Sequence, residues 1–154
     1  MQPSGVPDLS EDHVFRMRSA RGRGAGIRAT GTPVRMSVTA SEVPDVPTVD
    51  VTASVALVDA GGVLLDVREP DEWAAGHAPS AMFIPMGDVM RRISDIPADR
   101  SVAVICRSGR RSALVVDYLV EQGLDARNVA GGMQAWQSLG LMVVRNDGTP
   151  GTVI

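Results

Sequence analysis

Residues 106–112 place a cysteine directly in front of a run of arginine and serine side chains. Cys106 is the only cysteine of this 154-residue chain, and Arg-Ser-Gly-Arg-Arg-Ser follows it. The β-branched residues before Cys106 predict a strand, and the apolar pattern after Arg111 predicts a helix. A thiol at a strand-to-helix turn lies among free backbone N–H groups and near a helix dipole, and both stabilise a thiolate. The sequence therefore predicts that Cys106 is a nucleophile for an anionic substrate.

The other residues of this loop each have a predicted part in that chemistry. A curled loop directs successive N–H groups at the sulfur, and Gly109 supplies the freedom in φ that the curl needs. Ser108 and Ser112 can donate hydroxyl hydrogen bonds, and Ser112 could also cap the following helix. An inert core thiol is the alternative for Cys106, and the cationic continuation weakens it. The permanent charges predicted to attract and bind the anion are those of Arg107, Arg110 and Arg111.

A second group of charged residues follows another predicted strand. Alternation along the chain puts Asp66 and Arg68 on one side, and we expect adjacent parallel strands to bring them near Cys106. Asp66 could orient loop groups and Arg68 could bind substrate, while a structural ion pair is the alternative. Glu72 is predicted to support the site by pairing with one of its arginines. His77 would have to reach Cys106 to act as a base, so its role stays open.

The elements that must position these residues alternate along the chain from residue 46 onward. Strands that alternate with helices predict an α/β domain with a largely parallel sheet and helices on both faces. Ligands of such sheets bind beyond the carboxyl ends of the strands, and Cys106 lies at one of those ends. The predicted strands are 46–49, 63–67, 82–85, 102–105 and 126–130, and the predicted helices are 52–60, 69–75, 86–93, 112–122 and 133–139.

The two ends of the chain are predicted to lie outside this domain. Residues 1–45 are rich in proline and glycine, with little sustained periodicity, and predict a disordered extension. Six arginines and no acidic residue lie between His13 and Met36, so a basic arm or a targeting peptide is an alternative. A further alternative is that translation starts at Met36. We predict a folded domain over 46–145 and a C-terminal tail over 146–154.

Composition excludes several classes of function. A net charge of −3 disfavours nucleic-acid binding, and no apolar run is long enough to span a bilayer. A lone cysteine forms no internal disulfide, which fits a reducing, cytoplasmic location. The two histidines, His13 and His77, are far apart and have no neighbouring ligand cluster. We therefore expect neither a metal site nor another cofactor.

Four segments, in this order, make the chain resemble a known family. They read Leu-Asp-Val-Arg-Glu-Pro-Asp-Glu-Trp over 65–73, Gly-His-Ala-Pro over 76–79 with Ile-Pro at 84–85, Val-Ile-Cys-Arg-Ser-Gly-Arg-Arg-Ser over 104–112, and Asn-Val-Ala-Gly-Gly with a tryptophan over 128–136. Residues 46–145 thus resemble the rhodanese homology domain of single-domain sulfurtransferases. The resemblance implies a five-stranded, mostly parallel sheet flanked by helices and a sulfur-accepting role for Cys106.

The length of the loop separates the activities that this resemblance allows. Six residues run from Cys106 to Arg111, as in the sulfurtransferases, whereas related phosphatases have a loop one residue longer. We therefore predict a rhodanese-type (thiosulfate:cyanide) sulfurtransferase that moves a sulfane sulfur through a Cys106 persulfide. Its expected partners are a small anionic sulfur donor, a thiol acceptor, and a protein that supplies or receives sulfur. The alternatives are a persulfide-relay module with little activity of its own and a phosphatase or arsenate reductase.

Overall fold

A five-stranded sheet forms the centre of the molecule, and all its strand pairs are parallel. The computed structural model describes residues 43–154. The order across the sheet is β1-β5-β4-β2-β3, so β4, which ends next to Cys106, is the central strand. This confirms the predicted parallel α/β fold. The strands are β1 Thr48–Val49, β2 Val63–Asp66, β3 Met82–Phe83, β4 Val102–Ile105 and β5 Ala126–Val129.

Helices cover both faces of the sheet, as predicted. Alternation along β4 sends Val104 to one face, where it joins the buried residues of α3, and Ile105 to the other, where it joins those of α1 and α4. The Asp50 side chain accepts a hydrogen bond from the Ala53 N–H at 2.7 Å and so begins α1. The helices are α1 Val51–Asp59, α2 Pro70–Ala75, α3 Arg110–Glu121 and α4 Gly132–Ser138.

The predicted helix over 86–93 is wrong. Two short 3₁₀ turns, Met86–Asp88 and Ile93–Asp95, stand in its place. Glycine at position 87 raises the entropic cost of a regular helix there. The segment instead buries Met86, Val89 and Ile96 against the α3 face of the sheet, which irregular turns allow as well as a helix does.

The segment after α4 folds back onto the domain. Val144 pairs in antiparallel fashion with His77 and with Pro150, and the Thr152 N–H donates to the Ala75 carbonyl at 2.9 Å. Residues that the sequence prediction set apart as a C-terminal tail therefore pack beside α2. The predicted extension falls mainly on residues 1–42, outside the described residues, so its disorder and the start at Met36 stay predictions. No helix between residues 43 and 154 is long and apolar enough to cross a membrane.

Candidate active site

The thiol of Cys106 lies inside a tightly curled loop between β4 and α3. The residue is 1% exposed, and its Sγ accepts a hydrogen bond from the Gly109 N–H at 3.1 Å. Gly109 has a φ of +95°, in the left-handed region that glycine adopts at little cost, which confirms its predicted part in the curl. The chain then enters α3 at Arg110, so the positive end of a 12-residue helix lies beside the sulfur.

Ser112 takes a different place from the one predicted. α3 begins two residues earlier than expected, its N-cap is Gly109, and no side chain caps it, so the capping role predicted for Ser112 is wrong. Because Ser112 lies within the first turn, its hydroxyl faces back to the loop. Its Oγ lies 3.2 Å from the Cys106 Sγ and 2.6 Å from Oδ1 of Asn128, a buried residue of β5. Asn128 is a site residue that the sequence reasoning missed.

The three arginines of the loop do not act alike. Arg107 and Arg110 are exposed on the rim, as is Ser108 between them. Arg111 turns towards α2, where its two terminal nitrogens donate to the two carboxylate oxygens of Glu72 at 2.8 and 2.7 Å. This bidentate pair connects the loop to α2, so Glu72 has the arginine partner that the sequence predicted for it.

The environment of this pair stabilises both charges. Burial raises the pKa of the Glu72 carboxyl, but hydrogen bonds from Arg111 and from the Glu69 N–H, with the charges of Arg111 and Arg68, outweigh it and lower the pKa below 4.5. The hydrogen bond to Glu72 raises the pKa of Arg111 against the effect of burial, and the negative charges of Glu72 and Cys106 raise it further. Arg111 is therefore a fixed cation beside the loop.

Glu72→Gln is expected to make the stability of the protein less sensitive to acid. Because the folded-state pKa of Glu72 is lowered, its carboxylate stabilises the fold above pH 4.5, and this stabilisation is lost as the pH falls through the lowered value. The variant lacks that contribution at every pH. Urea unfolding from pH 7 downward measures the difference, with the exposed Asp99→Asn as the control variant. An unchanged acid slope in Glu72→Gln would contradict the pairing.

Asp66 and Arg68 form a buried ion pair behind the loop. Parallel pairing of β2 with β4 brings Asp66 beside Ile105, next to Cys106 as predicted. Arg68 has no exposed surface, and its guanidinium donates to both Asp66 oxygens at 2.8–3.1 Å and to the Gly76 carbonyl at 2.8 Å. The structure thus places Arg68 in the structural pair that was the alternative, because these donors face the protein interior instead of the substrate.

His77 lies in an aromatic stack with Trp73. Its ring is parallel to that of Trp73 at a centroid distance of 3.6 Å, and Phe83 also stacks on Trp73 at a centroid distance of 4.6 Å. The His77 Nδ1 contacts the Trp73 carbonyl oxygen at 2.9 Å. These contacts assign the imidazole to packing of the turn after α2. Within residues 43–154, no group of three or more histidine, cysteine or acidic side chains could hold a metal ion.

The start of α4 holds the loop through two backbone hydrogen bonds. The Met133 N–H donates to the Cys106 carbonyl at 2.8 Å, and the Gln134 N–H donates to the Arg107 carbonyl at 3.0 Å. Gly132 allows this approach, because a Cβ there would lie 2.6 Å from the Arg107 carbonyl carbon. The sequence signal for this support is the glycine pair ahead of a predicted helix, which contributed to the family resemblance but was assigned no role in the site.

Gly132→Ala is expected to be much more destabilising than Gly140→Ala. Both glycines have positive φ, +56° and +72°, so both substitutions strain the backbone. Only the Gly132 methyl group would collide with the loop, whereas nothing lies within 4 Å of a Cβ at Gly140. We expect an additional loss of about 1–3 kcal/mol in the free energy of unfolding, as for other overpacked sites. Denaturant titration of both variants measures it, and equal losses would disprove the steric argument.

Comparison with known proteins agrees with this architecture. Residues 51–139 match the family model described as a rhodanese-like domain. A sulfurtransferase of Allochromatium vinosum is 43% identical over 97 residues, 62% of this chain and 91% of that protein. "Putative sulfurtransferase YtwF" of Bacillus subtilis is 47% identical over 74 residues, 48% of this chain and 72% of that protein. The crystal structure of a rhodanese-related protein from Thermoplasma volcanium has a TM-score of 0.60 at 33% identity, covering 64% of this chain and 97% of that one. The chain belongs to the rhodanese-like domain family.

Proposed function

We propose that this protein is a sulfurtransferase that holds a sulfane sulfur as a persulfide on Cys106. The observation that supports this most is the sulfur atom itself, which accepts a hydrogen bond from the Gly109 N–H and lies within hydrogen-bond distance of the Ser112 hydroxyl at the start of α3. Donors aimed at a sulfur stabilise negative charge on it before the reaction and during it. The sulfurtransferase names of two relatives point the same way.

The first half-reaction is attack by the Cys106 thiolate on the outer sulfur of a donor such as thiosulfate. A new S–S bond forms at Cys106, the S–S bond of thiosulfate breaks, and sulfite leaves with the electron pair of that bond. The protein then carries a persulfide anion, and the loop N–H groups and α3 stabilise its charge as they did that of the thiolate. A thiol acceptor, or cyanide in an assay, attacks the outer sulfur and regenerates the thiolate. The reaction needs no cofactor.

Charge on the rim supports an anionic donor. Arg107 and Arg110 are exposed beside the loop and attract anions from solution. Arg111 is engaged by Glu72, so it positions the loop and adds to the positive potential around the sulfur. Ser108, exposed between the rim arginines, can donate a hydroxyl hydrogen bond to the bound donor.

The size of the loop argues against a phosphate ester as substrate. Six residues from Cys106 to Arg111 are curled so closely that Gly109 N–H reaches the sulfur, and the thiol is almost fully buried. A wider cradle suits a tetrahedral phosphate better than this one. An arsenate reductase would further need a second thiol to resolve its intermediate, and Cys106 is the only cysteine of the chain.

A persulfide relay is the second candidate. In this reading a partner protein loads Cys106 and another thiol unloads it, and activity with thiosulfate is low. The burial of Cys106 restricts which donors can reach the sulfur in a relay as well as in an enzyme. The lack of a resolving cysteine suits a relay as well as an enzyme, since an outside acceptor must take the sulfur in both. We propose a cytoplasmic location for either role, in keeping with one reduced thiol.

Intact mass spectrometry after incubation with thiosulfate tests the proposal. The sulfurtransferase gains one sulfur atom on Cys106 and loses it again when cyanide is added. A relay gains the sulfur only when a cysteine desulfurase supplies it. Protein that gains no sulfur from either donor would overturn both candidates, and a burst of product from an aryl phosphate would revive the phosphatase.

A further inference from the structure

The hydroxyl group of Ser112 has two hydrogen-bond acceptors within reach but only one hydrogen to donate. Its Oγ lies 2.6 Å from the Asn128 Oδ1 and 3.2 Å from the Cys106 Sγ. A serine hydroxyl donates once and accepts at its lone pairs. Because the contact with Asn128 is the shorter one, the hydroxyl donates its hydrogen to the Asn128 Oδ1. The Cys106 sulfur would then have to donate to the Ser112 Oγ, and only a protonated thiol can do so. The three side chains therefore form a hydrogen-bond chain, and the charge of the sulfur decides which atoms in it donate and which accept.

We propose that Asn128 is a positioning residue that directs the Ser112 hydroxyl hydrogen to the sulfur when Cys106 is ionised. This inference rests on the proposed function, in which the thiolate and the persulfide anion are the working states. When the sulfur is a thiol, S–H donates to Oγ and O–H donates to the amide oxygen. When it is an anion, the amide turns over, its Nδ2 donates to Oγ, and O–H donates to the sulfur. Between the two arrangements the S–H proton passes to solvent, and no other covalent bond changes.

An asparagine suits this task because both ends of its amide can face the same neighbour. The Asn128 side chain is 6% exposed, and among residues 43–154 its side-chain hydrogen bond is to Ser112, so turning the amide breaks no hydrogen bond to another residue. Its backbone cannot shift in the same way, because β5 lies between β1 and β4. Asn128 is in register with Thr48 on one side and with Val104 on the other.

The charged groups around the sulfur take no part in the hydrogen-bond chain of Cys106, Ser112 and Asn128. Arg111 stabilises negative charge on Cys106, and Glu72 and Glu69 act on Arg111 in turn. No hydrogen bond among residues 43–154 joins these charged side chains to Asn128 or to the Ser112 hydroxyl. A change at Asn128 should therefore reach the sulfur mainly through the Ser112 hydroxyl, and most of the effect should be lost when that hydroxyl is absent.

The test compares Asn128→Asp in the wild-type background and in a Ser112→Ala background. A carboxylate has the shape of the amide but can only accept, so it keeps the Ser112 hydrogen and leaves the sulfur without this donor. We expect the pH midpoint of Cys106 alkylation by iodoacetamide to rise by about one unit, since a hydrogen bond to a charged group is worth about tenfold in the equilibrium. In Ser112→Ala the same substitution should raise the midpoint by less than half as much.

The outcomes distinguish positioning from other effects. An equal rise in both backgrounds would mean that the new carboxylate acts only by charge, and no rise in the wild-type background would mean that Asn128 does not influence the sulfur; either result overturns the proposal. Asn128→Leu is the second variant if the aspartate variant does not fold. It adds no charge and cannot accept the Ser112 hydrogen, so the midpoint should not rise above that of the wild-type protein, and a rise would overturn the proposal. Alkylation needs no sulfur donor, so failure of the proposed function in the mass measurement is a separate result.

Discussion

Cys106→Ser is expected to remove sulfur transfer and to leave the fold unchanged. Serine has nearly the shape of cysteine, but its hydroxyl is not ionised near neutral pH and cannot hold a transferable sulfur. We expect thiocyanate formation from thiosulfate and cyanide to fall by at least about a thousandfold, as for the loss of a covalent nucleophile. The free energy of unfolding should change by less than about 1 kcal/mol, because the substitution is nearly isosteric.

Chemical modification gives an independent check of the same prediction. Cys106 is the only thiol in the chain, so alkylation of the wild-type protein modifies a single known position. Alkylated wild-type protein should be as inactive as the serine variant. Activity that survives in both would show that sulfur transfer does not pass through Cys106, whereas loss in the serine variant together with unfolding would leave alkylation as the deciding measurement.

Asp66→Ala is expected to lower the free energy of unfolding by about 3–5 kcal/mol, the range for breaking a buried ion pair. The substitution leaves the Arg68 guanidinium without its counter-ion in a place where neither side chain has exposed surface. The Gly76 carbonyl still accepts a hydrogen bond, but it supplies no charge to compensate. Because Asp66 also accepts from the Arg68 N–H, the turn before α2 loses its support as well.

An exposed ion pair in the same protein provides the control. Asp88 and Arg91 are 2.9 Å apart, and about half of each side chain is exposed. Asp88→Ala should therefore cost less than about 1 kcal/mol. A double substitution, Asp66→Leu with Arg68→Met, should recover part of the loss because no charge is then left buried. Equal costs for Asp66→Ala and Asp88→Ala would show that the Asp66 pair is not desolvated in solution.

Much of the fold follows from patterns that are local in the chain. Short, largely apolar runs predict the strands over 63–67, 82–85 and 102–105, and the periodic segment after Arg111 predicts α3. The segment over 86–93 shows where local patterns fail to predict the structure. Its apolar residues suit a helix equally well, but packing against α3 and a glycine at position 87 gave two 3₁₀ turns instead. Local patterns specify an element only when tertiary packing agrees with them.

The residues of the site likewise divide into those whose role local sequence predicts and those whose role depends on the fold. Gly109 could be assigned from sequence because a tight anion-binding curl next to a cysteine needs a residue with free φ. Glu72 could be assigned only to some arginine, and the fold selected Arg111, 39 positions away. Arg68 had two readings that the sequence could not separate, because burial in the turn decides between them. Asn128 gave no signal by itself, since an asparagine near a strand end has many uses.

The sequence by itself predicts the nature of the chemistry. A lone cysteine, a six-residue loop ending in arginine and a following helix predict an anion-binding nucleophile through contacts between near neighbours in the chain. Only the tertiary structure decided which distant groups act on that loop. Parallel pairing of β5 with β4 carries Asn128 to Ser112, α4 binds the loop carbonyls, and α2 brings Glu72 to Arg111. Such contacts depend on strand order and helix placement, which no single segment of the chain encodes.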